Sequence, residues 1–246
     1  MQNYKADLHI HTVLSPCGDL DMSPGRIVEE AKKKKIQILG ITDHNTTRQC
    51  KVVKQMAAEE NIFVMCGAEI TTREEAHCLA FFENDEKLEV FQTYLDAHLP
   101  DIKNNPSYFG YQVAVDQNEE IIFQEERLLI SALDQGINEI EKQVHALGGI
   151  FIPAHVDKPK FSLMSQLGFI PTDLQYDALE LSKFTSKEVF LLQNKYLGNP
   201  AIIRNSDAHV PHLIGDAFTI FQLAELSFAE LLKALHNKEG REIVAI

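Results

Sequence analysis

Histidines and carboxylates in this chain gather at the ends of apolar runs, and the tightest grouping is Asp7-Leu8-His9-Ile10-His11. Side chains two apart on a strand share a face, so both imidazoles can reach one metal ion. Asp207-Ala208-His209 repeats that geometry near the other end. Between them, Thr42-Asp43-His44 and Gly67-Ala68-Glu69 each bring polar side chains abruptly after an apolar run, His77 opens the run HCLAFF, and His155 follows Ile150 to Ala154. A lone histidine at a strand end is more often a hydrogen-bonded core residue than a ligand. Several on strands of one barrel reverse that reading, because buried imidazoles and carboxylates would otherwise lack partners. The donors are nitrogen and oxygen, which suits zinc, manganese or iron(II). More than four of them imply more than one cation. Two or three divalent ions bridged by a carboxylate suit displacement at a phosphate, where they generate hydroxide and stabilise the attacking and leaving oxygens.

Seven apolar runs can position these groups: 4–11, 36–44, 62–70, 77–82, 149–155, 178–183 and 201–209. Helical stretches lie between most of them, the signature of parallel strands joined by crossover helices, so an α/β barrel is expected with its site at the C-terminal strand ends. Ser23-Pro24 ahead of RIVEEAKKKK reads as an N-cap and a proline at the first helical position. Ser227 and Glu230 form a capping-box pattern for a closing helix, with Gly240 as its stop. Residues 83–148 exceed one crossover and hold the helix-like stretch 118–149. They are expected to be an insertion or lid over the rim of a single domain spanning 1–246.

With 45% hydrophobic and 24% charged residues, the chain has the composition of a globular protein. A net charge of -13 weighs against a long nucleic acid held by a broad basic face, and leaves small anionic substrates or short oligonucleotides open. No apolar run is long enough for a membrane span or a signal peptide, so a cytoplasmic location is expected. Cys17, Cys50, Cys66 and Cys78 show no CxxC spacing and read as free thiols, Cys66 and Cys78 within the core.

The succession HxH, TDH, GAE, a histidine before an apolar strand, AH and SDAH resembles the polymerase and histidinol phosphatase (PHP) superfamily over nearly the whole chain. That resemblance implies a distorted seven-stranded (β/α) barrel, TIM-like, with an insertion between strands 4 and 5, binding up to three metals. Carried onto this sequence, it implies one metal on His9, His11, Glu69 and Asp207, and a second on Glu69, His77 and His155. A third would use His44, His209 and a ligand from the loop SPCGDLDMSP, where Asp19 stands five residues before Pro24 and Asp21 and Cys17 are alternatives. Glu69, Asp207 and His209 would stand closest to the reacting atoms. Asp7 and Asp43 adjoin ligands and are expected to fix imidazole tautomers.

The expected reaction is hydrolysis of a phosphoester by a hydroxide generated at the metals. Arg48, Lys158, Lys183 and Arg204 are the candidate phosphate-binding cations, Lys158 and Lys183 foremost. A small phosphorylated metabolite or nucleotide is the expected substrate. The resemblance also admits a nucleoside bisphosphate phosphatase or a 5'-3' exonuclease on short oligonucleotides. Two contrasting readings are a metal-binding module without catalysis, which should lack some ligands, and C–N bond hydrolysis on a related barrel, which the motif order disfavours.

Overall fold

The computed structural model describes residues 1–246. Strand β1 (Gln2–Ile10) leads to helix α1 (Pro24–Lys33), β2 (Ile38–Ile41), α2 (Cys50–Glu59), β3 (Phe63–Thr71) and β4 (His77–Phe82). Then come α3 (Asp85–His98), α4 (Pro106–Phe109), the hairpin β5 (Val113–Val115) and β6 (Ile121–Gln124), and α5 (Ile137–Ala146). The chain returns through β7 (Ile150–Pro153), α6 (Leu163–Leu167), β8 (Leu179–Leu181), α7 (Lys187–Gln193) and β9 (Ile202–Arg204), and ends with β10 (Thr219–Leu223), α8 (Phe228–Leu235) and β11 (Glu242–Ala245).

A seven-stranded sheet runs β11-β10-β1-β2-β3-β4-β7, and β8 pairs with β9 in parallel. Hydrogen bonds continue the curl beyond β7. Asp177 N donates to Phe151 O, Val156 N to Glu180 O, and His11 N to Ala208 O, which brings the end of β9 back alongside β1. All seven expected runs thus contain a strand lining one curled wall. The nine-residue β1 serves two neighbours: Gln2 to Ala6 pair with β10 antiparallel, while Ile10 bridges Ala208 in parallel.

The sheet is mixed, not all-parallel as expected. β3 and β4 form an antiparallel hairpin, and β4 is antiparallel to β7. This reversal has a consequence for the site. His77 begins β4, yet it lies beside Thr71 at the end of β3, at the same rim as the other strand ends.

Local chemistry explains the helix boundaries. Ser23 Oγ accepts from Arg26 N and starts α1 as expected. Ser227 Oγ likewise accepts from Glu230 N. The Glu230 carboxylate does not close a capping box: it accepts from Ala224 N and Arg241 Nε, stitching α8 to the strands on either side. α8 accordingly stops at Leu235, and the last element is a strand rather than a helix ending at Gly240. In the stretch 118–149 only α5 is helical. Asp116 Oδ1 accepts from the amides of Asn118 and Glu120, a turn that folds β6 back on β5 in place of a helix.

The segment 83–148 is tied down by buried side-chain amides. The Gln49 amide bonds both N and O of Val115, Gln92 Oε1 accepts from Thr47 N, and Asn45 Nδ2 donates to the carbonyls of Leu129 and Ser131. All four cysteines are free, and Cys50, Cys66 and Cys78 are buried. No helix is long and apolar enough to cross a membrane.

A bulge sets the direction of the HxH segment. Asp7 pairs with Leu39 and Ile10 with Ile41, so Leu8 and His9 together oppose Gly40. A Cβ on Gly40 would lie 2.3 Å from Leu8 O and 2.6 Å from Leu8 Cα, so only glycine lets the strands approach this closely. Gly40→Ala is expected to cost roughly 1–3 kcal/mol, read as a lower urea midpoint, and to weaken metal binding through displaced His9. An unchanged midpoint would show that β1 can part from β2 without penalty.

Candidate metal centre

One buried carboxylate organises the site. Glu69 Oε1 lies 3.2 Å from His9 Nε2, 2.9 Å from His77 Nδ1 and 3.1 Å from His155 Nε2, while Oε2 lies 3.3 Å from His11 Nε2 and 3.1 Å from His44 Nδ1. Asp207 Oδ1 approaches His9 Nε2 at 3.4 Å and His11 Nε2 at 3.5 Å. His209 stacks on His11 with ring centroids 4.1 Å apart. Of the nine residues expected as ligands, eight therefore converge, and Asp19 does not. Its Oδ1 accepts from Asp21 N at 2.8 Å on the exposed loop, and Asp21 is exposed as well. Cys17 falls within reach instead: His11, Cys17, His44 and His209 form one group able to hold a metal, beside His9-His11-Glu69 and His44-Glu69-His77.

Strained backbone turns several of these side chains inward. His155 (φ 29°) and Asp207 (φ 53°) are in the left-handed region, as is Asn45 (φ 50°) directly after His44. Such conformations cost about 1–3 kcal/mol each in non-glycine residues and persist where surrounding structure fixes them.

The hydrogen-bonding partners determine which imidazole nitrogens are free. His9 Nδ1 lies 3.1 Å from both oxygens of Glu180, so its proton is held there and the Nε2 lone pair faces the cluster. Ser15 donates its hydroxyl proton to Asp43 Oδ1 (2.7 Å) and so accepts from His11 Nδ1 (3.0 Å), which likewise frees His11 Nε2. His209 Nδ1 donates to Asp207 O at 2.9 Å. Asp43 thus orients His11 through Ser15. Asp7 has a different role from the one expected: its carboxylate accepts from Ser206 N and Gly215 N, pinning the SDAH loop rather than an imidazole. Burial raises its pKa to about 6 against those hydrogen bonds.

Glu180 was missing from the expected set, although it is the sole acid inside the run 178–183 and both its oxygens face His9 Nδ1. It is buried and also accepts from His155 N and Asn205 Nδ2. A charged residue flanked by leucines in a short strand is the signal that marks it.

The arrangement calls for added positive charge. His9 Nε2 and His11 Nε2 stand 3.3 Å apart and both face the carboxylates of Glu69 and Asp207, so without a metal a proton must be shared among them. Burial disfavours protonation of His9, yet Glu180, Glu69 and Asp207 hold its pKa well above the usual value. Burial opposes ionisation of Glu69 too, but His77, His9 and His44 keep its pKa well below the carboxylate range. The Nδ1 atoms of His44 and His155 are buried without a hydrogen bond. Four donors on a tetrahedral zinc with bonds of about 2.0–2.1 Å stand about 3.4 Å apart. His9 and His11 keep separations of 3.2–3.5 Å from each other, from Glu69 and from Asp207, close to that edge, and His9, His11 and Glu69 form a donor set that fits a divalent cation.

Glu69, Asp207, His44, His77, His155 and His209 line a cavity of about 440 Å³ that is also lined by Lys158, Lys160, Phe161 and Ile130. Of the expected phosphate-binding cations, Lys158 lies here, paired with Asp207. Lys183 is exposed at the end of β8 next to Phe184, and Asp157 links the two loops by accepting from Ser182 N and Oγ. Arg48 instead pairs with Asp96 and lies over Phe123, and Arg204 donates to Thr185 O, so neither enters the cavity.

Comparison with known proteins follows this geometry. The PHP domain family model matches residues 7–237. An uncharacterised protein, YqxK of Bacillus subtilis, is 24% identical across 100% of this chain, which covers 65% of YqxK. Endonuclease Q of Pyrococcus furiosus, a lesion-specific endonuclease, superposes with a TM-score of 0.76 at 20% identity, over 98% of this chain and 58% of that one. A structure of Endonuclease Q in complex with a 27-mer duplex carrying an abasic lesion at the active site gives the same TM-score at 21% identity. A candidate metal-dependent phosphoesterase from Bifidobacterium adolescentis gives 0.57 at 19% identity, over 84% of this chain and 88% of that one. This chain thus spans less than two thirds of the length of YqxK and of Endonuclease Q.

The Endonuclease Q complex overturns the expectation that a small phosphorylated substrate ranks above a long nucleic acid. The same fold takes a 27-mer duplex there. A net charge of -13 is a sum over the whole surface, whereas phosphate binding depends on cations at the site.

Glu180→Gln keeps a hydrogen-bond acceptor for His9 but removes the charge behind it. Metal affinity is expected to fall about 10–100-fold with unchanged circular dichroism. Equal affinity in a competitive chelator titration would remove Glu180 from the centre.

Proposed function

This chain belongs to the PHP domain family of metal-dependent phosphoesterases, and on that premise we propose that it hydrolyses phosphodiester bonds in nucleic acid. One observation carries the reading. The converging donor cluster opens into a cavity bordered by lysines and an exposed aromatic ring, a combination suited to a phosphate with a base attached.

We assign His9, His11, Glu69 and Asp207 to one cation, and Glu69, His77 and His155 to a second, with Glu69 shared. Bound divalent cations would supply Lewis acidity, polarising the phosphoryl oxygens and lowering the pKa of water at the phosphorus. Glu69 and Asp207 contribute fixed negative charge that holds those cations. Glu180 and the Asp43-Ser15 pair hold Nδ1 of His9 and His11, which leaves Nε2 of each aimed inward as the donor atom. Lys158, partly buried beside Asp207, places an ammonium next to where phosphate oxygens would lie. His209, whose pKa burial lowers to about 4, is a neutral imidazole near pH 7; its Nδ1 proton is held by Asp207 O, which leaves Nε2 free as a lone-pair donor at the cavity.

Base recognition is assigned to the rim. Phe161 stacks on His77 with centroids 5.0 Å apart and planes 9° from parallel, and it is 45% exposed, leaving ring surface for a base. Lys160 beside it and the Lys183-Phe184 pair on the linked loop extend the same chemistry along a strand. The segment 83–148, whose Ile130 reaches the cavity, is proposed to form one wall of the substrate channel within a single domain.

The test is cleavage of end-labelled single-stranded and duplex oligonucleotides with manganese or zinc. His9→Ala and Asp207→Ala are expected to lose at least about 100-fold in rate, and chelator should abolish cleavage reversibly. Phe161→Ala should raise KM for oligonucleotides while leaving hydrolysis of bis-(p-nitrophenyl) phosphate intact. Full cleavage by Asp207→Ala, or no cleavage of any oligonucleotide by metal-loaded protein, would refute the reading.

A further inference from the structure

A further group of donors stands outside the two sub-sites just assigned. Cys17 lies with His11, His44 and His209, each offering one atom, all within 4.8 Å of one another. His11 has only Nε2 available, since Nδ1 is held by Ser15, and that nitrogen already stands 3.3 Å from both His9 Nε2 and Glu69 Oε2. Three donors remain for a separate ion. His209 has a free Nε2, because its Nδ1 donates to Asp207 O. His44 is only 6% exposed and its side chain makes no hydrogen bond, its buried Nδ1 standing 3.1 Å from Glu69 Oε2 without hydrogen-bond geometry. An imidazole that deeply buried without a hydrogen-bond partner calls for a ligand.

The loop holds Cys17 against these rings. Gly18 N donates to Ser15 O and Asp19 N to His209 O, so the turn carrying Cys17 is fastened to the His209 segment itself. A Cβ on Gly18 would fall 2.5 Å from Thr12 O, which ties the turn to glycine at that position. The Asp19 carboxylate, by contrast, is engaged with the Asp21 amide on the exposed face of the loop.

We infer that Cys17, not Asp19, completes a third metal sub-site with His44 and His209, and that this sub-site takes a thiophilic divalent ion such as zinc, iron(II) or cobalt. The inference rests on the family's metal dependence and is independent of the nucleic-acid substrate. A thiolate is a soft donor and favours these ions over manganese or magnesium. It also binds deprotonated, so loading the sub-site releases a proton that a carboxylate ligand would not.

Cys17 is the one exposed cysteine of the four, so alkylation of the native protein reports on it alone. In metal-free protein at alkaline pH, iodoacetamide should modify one thiol, and zinc or cobalt should slow that modification. Cobalt-loaded wild-type protein should show a thiolate-to-cobalt charge-transfer band in the near ultraviolet. Cys17→Ser should lose that band and one equivalent of bound metal, while Asp19→Asn keeps both. Cobalt bound without the band, or alkylation at the same rate with and without metal, would overturn the Cys17 assignment while leaving the histidine-carboxylate centre standing. No cobalt bound at all would refute the metal reading together with it. Loss of the equivalent in Asp19→Asn but not in Cys17→Ser would return the ligand to Asp19.

Discussion

The rest of the site depends on a single carboxylate that cannot satisfy its neighbours by hydrogen bonding alone. Glu69 is buried, and imidazole nitrogens from five histidines lie within 3.3 Å of its two oxygens. Those histidines come from the ends of β1, β2 and β7 and the beginning of β4, so one side chain fixes where three strands must finish and a fourth must start. Without a cation the cluster must draw in protons, as the raised pKa of His9 shows, and keeping ionised groups buried in this way costs several kcal/mol. A divalent ion turns the same geometry into coordination. The fold can therefore be understood as a device for holding an electrostatically unfavourable cluster in place until metal arrives.

Three features of the wall make that possible. The bulge opposite Gly40 rotates β1 locally so that His9 and His11 converge on Glu69. The left-handed residues at Asn45, His155 and Asp207 end their strands abruptly and turn ligands inward. Behind them, Glu180, Asn205, Ser15, Asp43 and Asp7 form a layer of buried acceptors and donors linking the strand ends to one another. The strain at the site is thus distributed over hydrogen bonds that do not touch the cavity.

Net charge is a weak guide to the substrate for a physical reason. A total of -13 includes many surface carboxylates already paired with lysines and arginines, as in Arg26-Glu29 and Lys51-Glu89. At the cavity the balance differs, because Lys158 and Lys160 lie at its rim and the carboxylates there are the ones a metal would neutralise. Arg48 and Arg204 illustrate the converse error. Each follows or precedes a site motif in sequence, yet each is engaged elsewhere by Asp96 or Thr185.

By itself the sequence determined which imidazoles and carboxylates close the apolar runs and the strand runs that carry them. That is because a polar residue closing an apolar run is a local pattern, and the two-residue period of a strand fixes which side chains share a face. Tertiary structure decided what depends on partners distant in the chain. The antiparallel course of β4 brings His77 to the rim, a direction that the run HCLAFF does not encode. Glu180 orients His9 across 171 positions of sequence, and Asp7 braces the SDAH loop from 199 positions away. In the loop after β1, Cys17 and Asp19 are nearly equivalent on spacing alone. Only the fastening of that loop to His209 turns the thiol toward the histidines and leaves the carboxylate on the exposed face.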